Sequence, residues 1–214
     1  MSKINIAIAG VGNCSSALVQ GVQYYNENPH DTIGLMFEDI GGYSAPDFNF
    51  VVGFDVDSRK VGQRLNTAIY AKPNCNMEVF PPGHDMSCIS GNSYVYRSPT
   101  LDGIAPHMHD LNENISFVED KTTTAITASA YRNILKSNKV DVLLNYMPVG
   151  SEEAARWHIE NAIKAGVHVV NCMPTYISTK DAMELEELAI ENNVTIVGSD
   201  MRSDYGASRL SEVL

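Results

Sequence analysis

The chain has 214 residues and a formal net charge of −11, an acid excess that argues against a nucleic-acid or anionic-membrane partner. Its hydrophobic fraction of 44% and charged fraction of 19% are those of a soluble globular protein with one sizeable core. No run of about 20 apolar residues offers a membrane span. The first apolar stretch is broken by Gly10 and Gly12 and so is no signal peptide. The four cysteines (Cys14, Cys75, Cys88 and Cys172) form no C-x-x-C and no disulfide framework, which suits a reducing cytoplasm.

In chain order, the apolar run Ile4 to Ala9 ends at Gly10-Val11-Gly12 and reads as a buried strand running into a glycine turn. A helix from about Ser15 to Tyr25 follows. Strand, glycine turn and helix in this order are the setting of a dinucleotide fingerprint. Gly10 permits the tight turn, Gly12 lets backbone approach a pyrophosphate, and the N–H groups of the helix start face that anion. Ser15 stands where a third glycine is usual, small enough for close helix–strand packing.

Residues 30–48 form an irregular excursion before a second strand, Phe50 to Phe54. Asp55 at its end is the candidate for the adenosine ribose hydroxyls, and Asp57 suits the cap of a helix beginning near Arg59. Residues 71–115 are a second irregular excursion, with a short strand at Val95 to Arg97. His107 and His109 lack a companion carboxylate or cysteine at metal-site spacing and read as surface histidines, so no metal ligand is assigned.

From Thr124 the pattern alternates regularly. A helix over 124–137 leads to a strand at Val140 to Leu144. Ser151 suits the cap of a helix through about Ala165, with Glu152 and Glu153 at its positive end. A strand at Val167 to Val170, a helix capped by Ser178 or Thr179, and a strand at Val194 to Val197 complete the alternation. The whole predicts an α/β Rossmann-like doubly wound, mainly parallel sheet with an irregular insertion. Ligands of such sheets bind beyond the carboxyl ends of the strands. There Asn145 and Asn171 stand as residues that could hold a cofactor or simply close turns.

Several segments together carry a family resemblance: residues 10–25 (GVGNCSSALVQGVQYY), 54–57 (FDVD) with Lys60-Val61-Gly62, 99–103 (PTLDG), 145–154 (NYMPVGSEEA) and 197–203 (VGSDMRS). In this order they resemble bacterial and archaeal myo-inositol-1-phosphate synthases. The resemblance implies that residues 1–214 form a Rossmann-type NAD domain, without the family's tetramerisation and catalytic portion. It implies NAD-dependent isomerisation of D-glucose 6-phosphate to 1L-myo-inositol 1-phosphate by a split or truncated synthase. Two alternatives stay open: an NAD-binding module without isomerase activity, and another NAD-dependent oxidoreductase.

By the same resemblance Gly10, Gly12, Asn13, Cys14, Ser15 and Asp55 would hold NAD, with Asp102, Asn145, Tyr146 and Ser151 along it. Asp200 would sit beside the nicotinamide and phosphates. Asp200, Arg202 and Ser203 would be this chain's share of the catalytic apparatus, with Arg202 standing where the family has a lysine. Some members place a divalent or monovalent cation near the cofactor phosphates. The partners implied are a sugar phosphate and either further copies of the chain or a companion chain, with Leu210, Val213 and Leu214 as apolar residues left for such a contact.

Overall fold

A computed structural model describes residues 3–104, 108, 110–173 and 180–198. Six strands form one all-parallel sheet: β1 (Ile4–Ala9), β2 (Phe48–Asp55), β3 (Val95–Arg97), β4 (Val142–Asn145), β5 (His168–Asn171) and β6 (Ile196–Gly198), in the order β3-β2-β1-β4-β5-β6. The order reverses at β1, so the chain runs outward in both directions from the first strand. In sheets of this kind ligands bind at the strand ends beside that reversal.

The helices are α1 (Asn13–Glu27), α2 (Leu65–Ala68), α3 (Ala128–Ser137), α4 (Glu152–Lys164) and α5 (Lys180–Glu191). Side chains alternate across β1. Ile6 and Ile8 pack with Val19 and Val22 of α1 and with Leu65, while Ala7 and Ala9 pack with Tyr131, Leu135, Ile159 and Ile163 of α3 and α4. The register between β1 and β2 slips after Ile6, which pairs with Phe50, whereas Ala7 pairs with Val52. Val51 is the extra residue, and the slip sends Phe50 to the α1 side and Phe54 to the α3–α4 side.

Three local expectations are corrected. No helix begins near Arg59. Residues 58–62 are turns, and the short α2 starts at Leu65, because the Asp57 carboxylate accepts from the Arg59 N–H at 2.9 Å and from the Arg59 Nε at 2.8 Å within a turn. The helix expected over 124–137 starts at Ala128, where the Thr127 hydroxyl accepts from Ala130 N at 3.2 Å. Ser151 occupies the N-cap position of α4, but its hydroxyl makes no capping hydrogen bond.

The strand expected at 95–97 is β3. Residues Ser178, Thr179, His107 and His109 lie outside the described residues, as do Leu210, Val213 and Leu214. Among the described residues no helix is long and apolar enough to cross a membrane.

Candidate functional site

The ends of β1, β2 and β4 converge on the turn at residues 10–12, where each peptide group is fixed by a partner from outside the turn. Gly10 N–H donates to the Phe54 carbonyl at 2.9 Å, and Tyr146 N–H donates to the Ala9 carbonyl at 2.8 Å. Val11 N–H donates to Asp55 Oδ2 at 2.8 Å. Ser15 Oγ donates to the Gly10 carbonyl at 2.6 Å, so the serine in the third position of the fingerprint both packs closely and ties the helix back to the strand.

The two glycines do different work. Gly10 has φ +87°, and a Cβ there would stand 2.6 Å from the Tyr146 carbonyl oxygen, so fold geometry requires glycine. Gly12 is the N-cap of α1 with an ordinary extended φ of −95°, and a Cβ there would meet no atom of the described residues within 4 Å. Glycine is among the residues favoured at a helix N-cap, and the open space in front of it also leaves room for a ligand against that backbone.

The turn forms one wall of a cleft lined by Gly10, Gly12, Asn13, Cys14, Asp55 and Tyr146 among others. Val56, Phe117, Met147 and Pro148 give it an apolar side. Asp55 is 7% exposed. Its Oδ1 accepts from Val56 N at 2.7 Å and Asp57 N at 2.9 Å, so three of about four acceptor positions are filled by backbone and one is left for a ligand hydroxyl. Burial is the first cause raising the Tyr146 phenol well above its ordinary range, with Cys172 and Cys14 adding to it, so this ring faces the cleft as a neutral phenol. Asn13 is tied to the neighbouring loop: its Oδ1 accepts from Cys75 N at 2.8 Å.

Of the other expected ligands, Asp102, Asn145 and Ser151 are bonded or buried within the fold. Asn145 is fully buried and donates through Nδ2 to Asn171 Oδ1 at 2.8 Å, while Asn171 donates to the Met173 carbonyl at 3.0 Å. The single Asn145–Asn171 bond links the ends of β4 and β5, and neither residue is among those lining the cleft. Ser151 is buried at the start of α4. Asp102 caps α4 across a long sequence separation: its Oδ2 accepts from Glu153 N and its Oδ1 from Ala154 N, both at 2.8 Å. Asp102→Ala is therefore expected to destabilise the protein by about 1–2 kcal/mol, measurable by urea unfolding, as loss of a helix cap does. Asp200, Arg202 and Ser203 lie outside the described residues.

Sequence reasoning missed Ser98, Gly103, Phe117, Met147 and Pro148 in the cleft wall. Phe117 sits in an aperiodic segment whose pattern carries no signal. It also missed the buried Lys60 and Asn74 beneath the turn. Among the described residues no group of three or more His, Cys, Asp or Glu side chains is placed to hold a metal ion.

No protein-family profile matches the chain. It is 40% identical to the inositol-3-phosphate synthase of Mycolicibacterium smegmatis, over 99% of this chain and 54% of that protein. The chain thus spans about half the length of the relatives it matches. Among solved structures it is similar to the crystal structure of Ari2, with a TM-score of 0.69 and 28% identity over 93% of this chain and 53% of the other. It is also similar in fold to a myo-inositol-1-phosphate synthase-related protein from Thermotoga maritima MSB8, with a TM-score of 0.68 and 18% identity over 92% of this chain and 55% of the other.

Proposed function

We propose that this chain, a relative of the inositol-3-phosphate synthases along its whole length, holds NAD in the cleft at residues 10–15 for an isomerisation of D-glucose 6-phosphate to 1L-myo-inositol 1-phosphate. The observation that carries the cofactor reading is Gly12, a glycine with open space in front of it at the start of a 15-residue helix. A pyrophosphate fits there, since helix N–H groups and the helix dipole favour an anion at that end. NAD, when bound, supplies reversible hydride transfer.

This chain's own residues bind and orient. The amides at residues 12–14 face the anion, and the remaining acceptor position of Asp55 takes a ribose hydroxyl. The Tyr146 phenol and the apolar side formed by Val56, Phe117, Met147 and Pro148 exclude water from the cofactor. Asp200, Arg202 and Ser203 remain the catalytic candidates, and Arg202 is suited to stabilising negative charge rather than to giving up a proton. A cation near the phosphates, as the family resemblance implies, would neutralise charge there.

The test is an assay of the chain with glucose 6-phosphate and NAD, following inositol 1-phosphate and absorbance of reduced nicotinamide together. Product without net NADH supports the synthase reading, because that reaction returns its hydride. Net NADH would replace it with an ordinary dehydrogenase. NAD binding without either product would leave a cofactor-binding module.

A further inference from the structure

Lys60 is a charged side chain with 0% exposure, buried directly beneath the turn. Its Nζ donates to the Val11 carbonyl at 2.7 Å and to Asn74 Oδ1 at 3.0 Å, and it stands 3.9 Å from Asp55 Oδ2. Asn74 adds a second donor to the same carbonyl, Nδ2 to Val11 O at 3.2 Å, and a bond to the Ile69 carbonyl at 2.9 Å. Burying an ammonium group is costly unless it is paired and hydrogen-bonded, and here two oxygen acceptors and a carboxylate surround it. The buried Asp55 carboxylate gives the ammonium group its counter-charge, but at 3.9 Å it is no hydrogen-bond partner. The target of Nζ in the turn is one backbone carbonyl.

That carbonyl belongs to the same peptide unit as Gly12 N–H. The Val11–Gly12 bond is trans, so its C=O and N–H point in opposite directions. A carbonyl held from the buried side by Lys60 and Asn74 turns Gly12 N–H toward the side that Gly12 lines, which is the cleft. A cation on the oxygen also polarises the peptide and strengthens the N–H as a donor. The Gly10 carbonyl is held in the same manner by Ser15, and the Val11 N–H by Asp55.

We infer that Lys60, with Asn74 as its partner, is a positioning residue for anion binding: it fixes the Val11–Gly12 peptide so that Gly12 N–H meets the diphosphate of the ligand. The inference rests on the nucleotide reading of the cleft and deepens it. It assigns the affinity for the diphosphate, as distinct from the adenosine, to a residue that touches no ligand.

The experiment titrates the full chain with ADP-ribose and inorganic pyrophosphate by calorimetry and with adenosine by ligand-observed NMR. Lys60→Met keeps the length and apolar stem of the side chain. Asp55 keeps its three N–H donors in it and Val11 keeps Asn74, so the variant is expected to fold with a cooperative thermal transition. Its dissociation constants for ADP-ribose and pyrophosphate are expected to rise about 10- to 100-fold, the scale of a lost charge-assisted hydrogen bond. Adenosine affinity stays within about twofold, since it has no phosphate to meet Gly12 N–H.

Asn74→Asp keeps the acceptor for Lys60 and removes the second donor on Val11, and it is expected to give a smaller loss of the same kind. Equal weakening of adenosine and ADP-ribose, or no weakening of either, would overturn the inference, as would a wild-type chain that binds neither pyrophosphate nor ADP-ribose. A wild type that binds ADP-ribose but not NAD refutes the proposed function while leaving the inference to be decided by Lys60→Met.

Discussion

Gly12→Ala is expected to remove NAD binding, by a hundredfold or more in a calorimetric titration, while leaving the fold almost untouched. The methyl group would meet no atom of the described residues within 4 Å, and φ is −95°. Alanine at a helix N-cap costs no more than about 1 kcal/mol relative to glycine. The same methyl would occupy the space in which a pyrophosphate must approach the backbone. Gly10→Ala gives the opposite profile. At φ +87° with the Tyr146 carbonyl oxygen 2.6 Å from the new carbon, it is expected to cost about 3 kcal/mol or more of stability, from left-handed strain and a backbone collision together. Urea unfolding and NAD titration of both variants separate a glycine the fold needs from one the ligand needs. Unchanged NAD affinity in Gly12→Ala would remove the pyrophosphate from this turn.

The second large effect is an acid sensitivity centred on His158. This ring is 0% exposed, and burial holds its pKa down to about 3. Nδ1 lies 3.0 Å from the Tyr131 hydroxyl, and Nε2 has no hydrogen-bond partner among the described residues. The surroundings are aromatic, with ring centroids of Trp157 at 5.1 Å, Tyr131 at 5.2 Å and Phe54 at 5.9 Å.

The folded pKa lies below the unfolded one, near 6.5, so the unfolded chain binds the extra proton. The stability contributed by the neutral ring is therefore fully present above about pH 6.5 and is lost as pH falls toward 3. The loss approaches ~1.4 kcal/mol per pH unit inside that window. Between pH 6.5 and 4.5 it amounts to about 2–3 kcal/mol.

Asp57, held below the ordinary carboxylate range by Arg59 and by backbone N–H groups despite its burial, Asp120, held low by Thr123 and Thr122, and Glu27 and Glu160, held low by their hydrogen-bond partners, lose their contributions only below about pH 5. The upper window therefore reports on His158. Urea unfolding of wild type and His158→Gln at pH 7, 5.5 and 4.5 checks it. The wild-type slope should flatten in the variant, and equal slopes would assign the acid loss elsewhere.

The fold was legible because most of its strands are short apolar runs that end in or run into glycine, aspartate or asparagine, and because the second half alternates at helical and strand periods. The purpose of the polar strand ends was less legible. Asp55 was readable from its place after β2, but Asp102 and Asn145 carry the same chemistry in sequence as a cofactor ligand. Only the structure shows Asp102 accepting from two amides of α4 and Asn145 bonded to Asn171. The expected cap at Ser151 failed for the same reason: a carboxylate 51 residues away took the Glu153 N–H. Lys60 was invisible because a lysine in DVDSRKVGQ reads as exposed, and its burial depends on a loop bringing Asn74 over it.

The central claim is that the cleft holds a dinucleotide with its diphosphate against Gly12. The most direct measurement is a crystal structure of the chain with NAD. The account predicts diphosphate oxygens within about 3 Å of Gly12 N, an adenosine ribose hydroxyl on Asp55 Oδ2, and the Lys60 contact to the Val11 carbonyl retained. NAD lying away from residues 10–15, or a diphosphate that leaves Gly12 N–H without an acceptor, would contradict it.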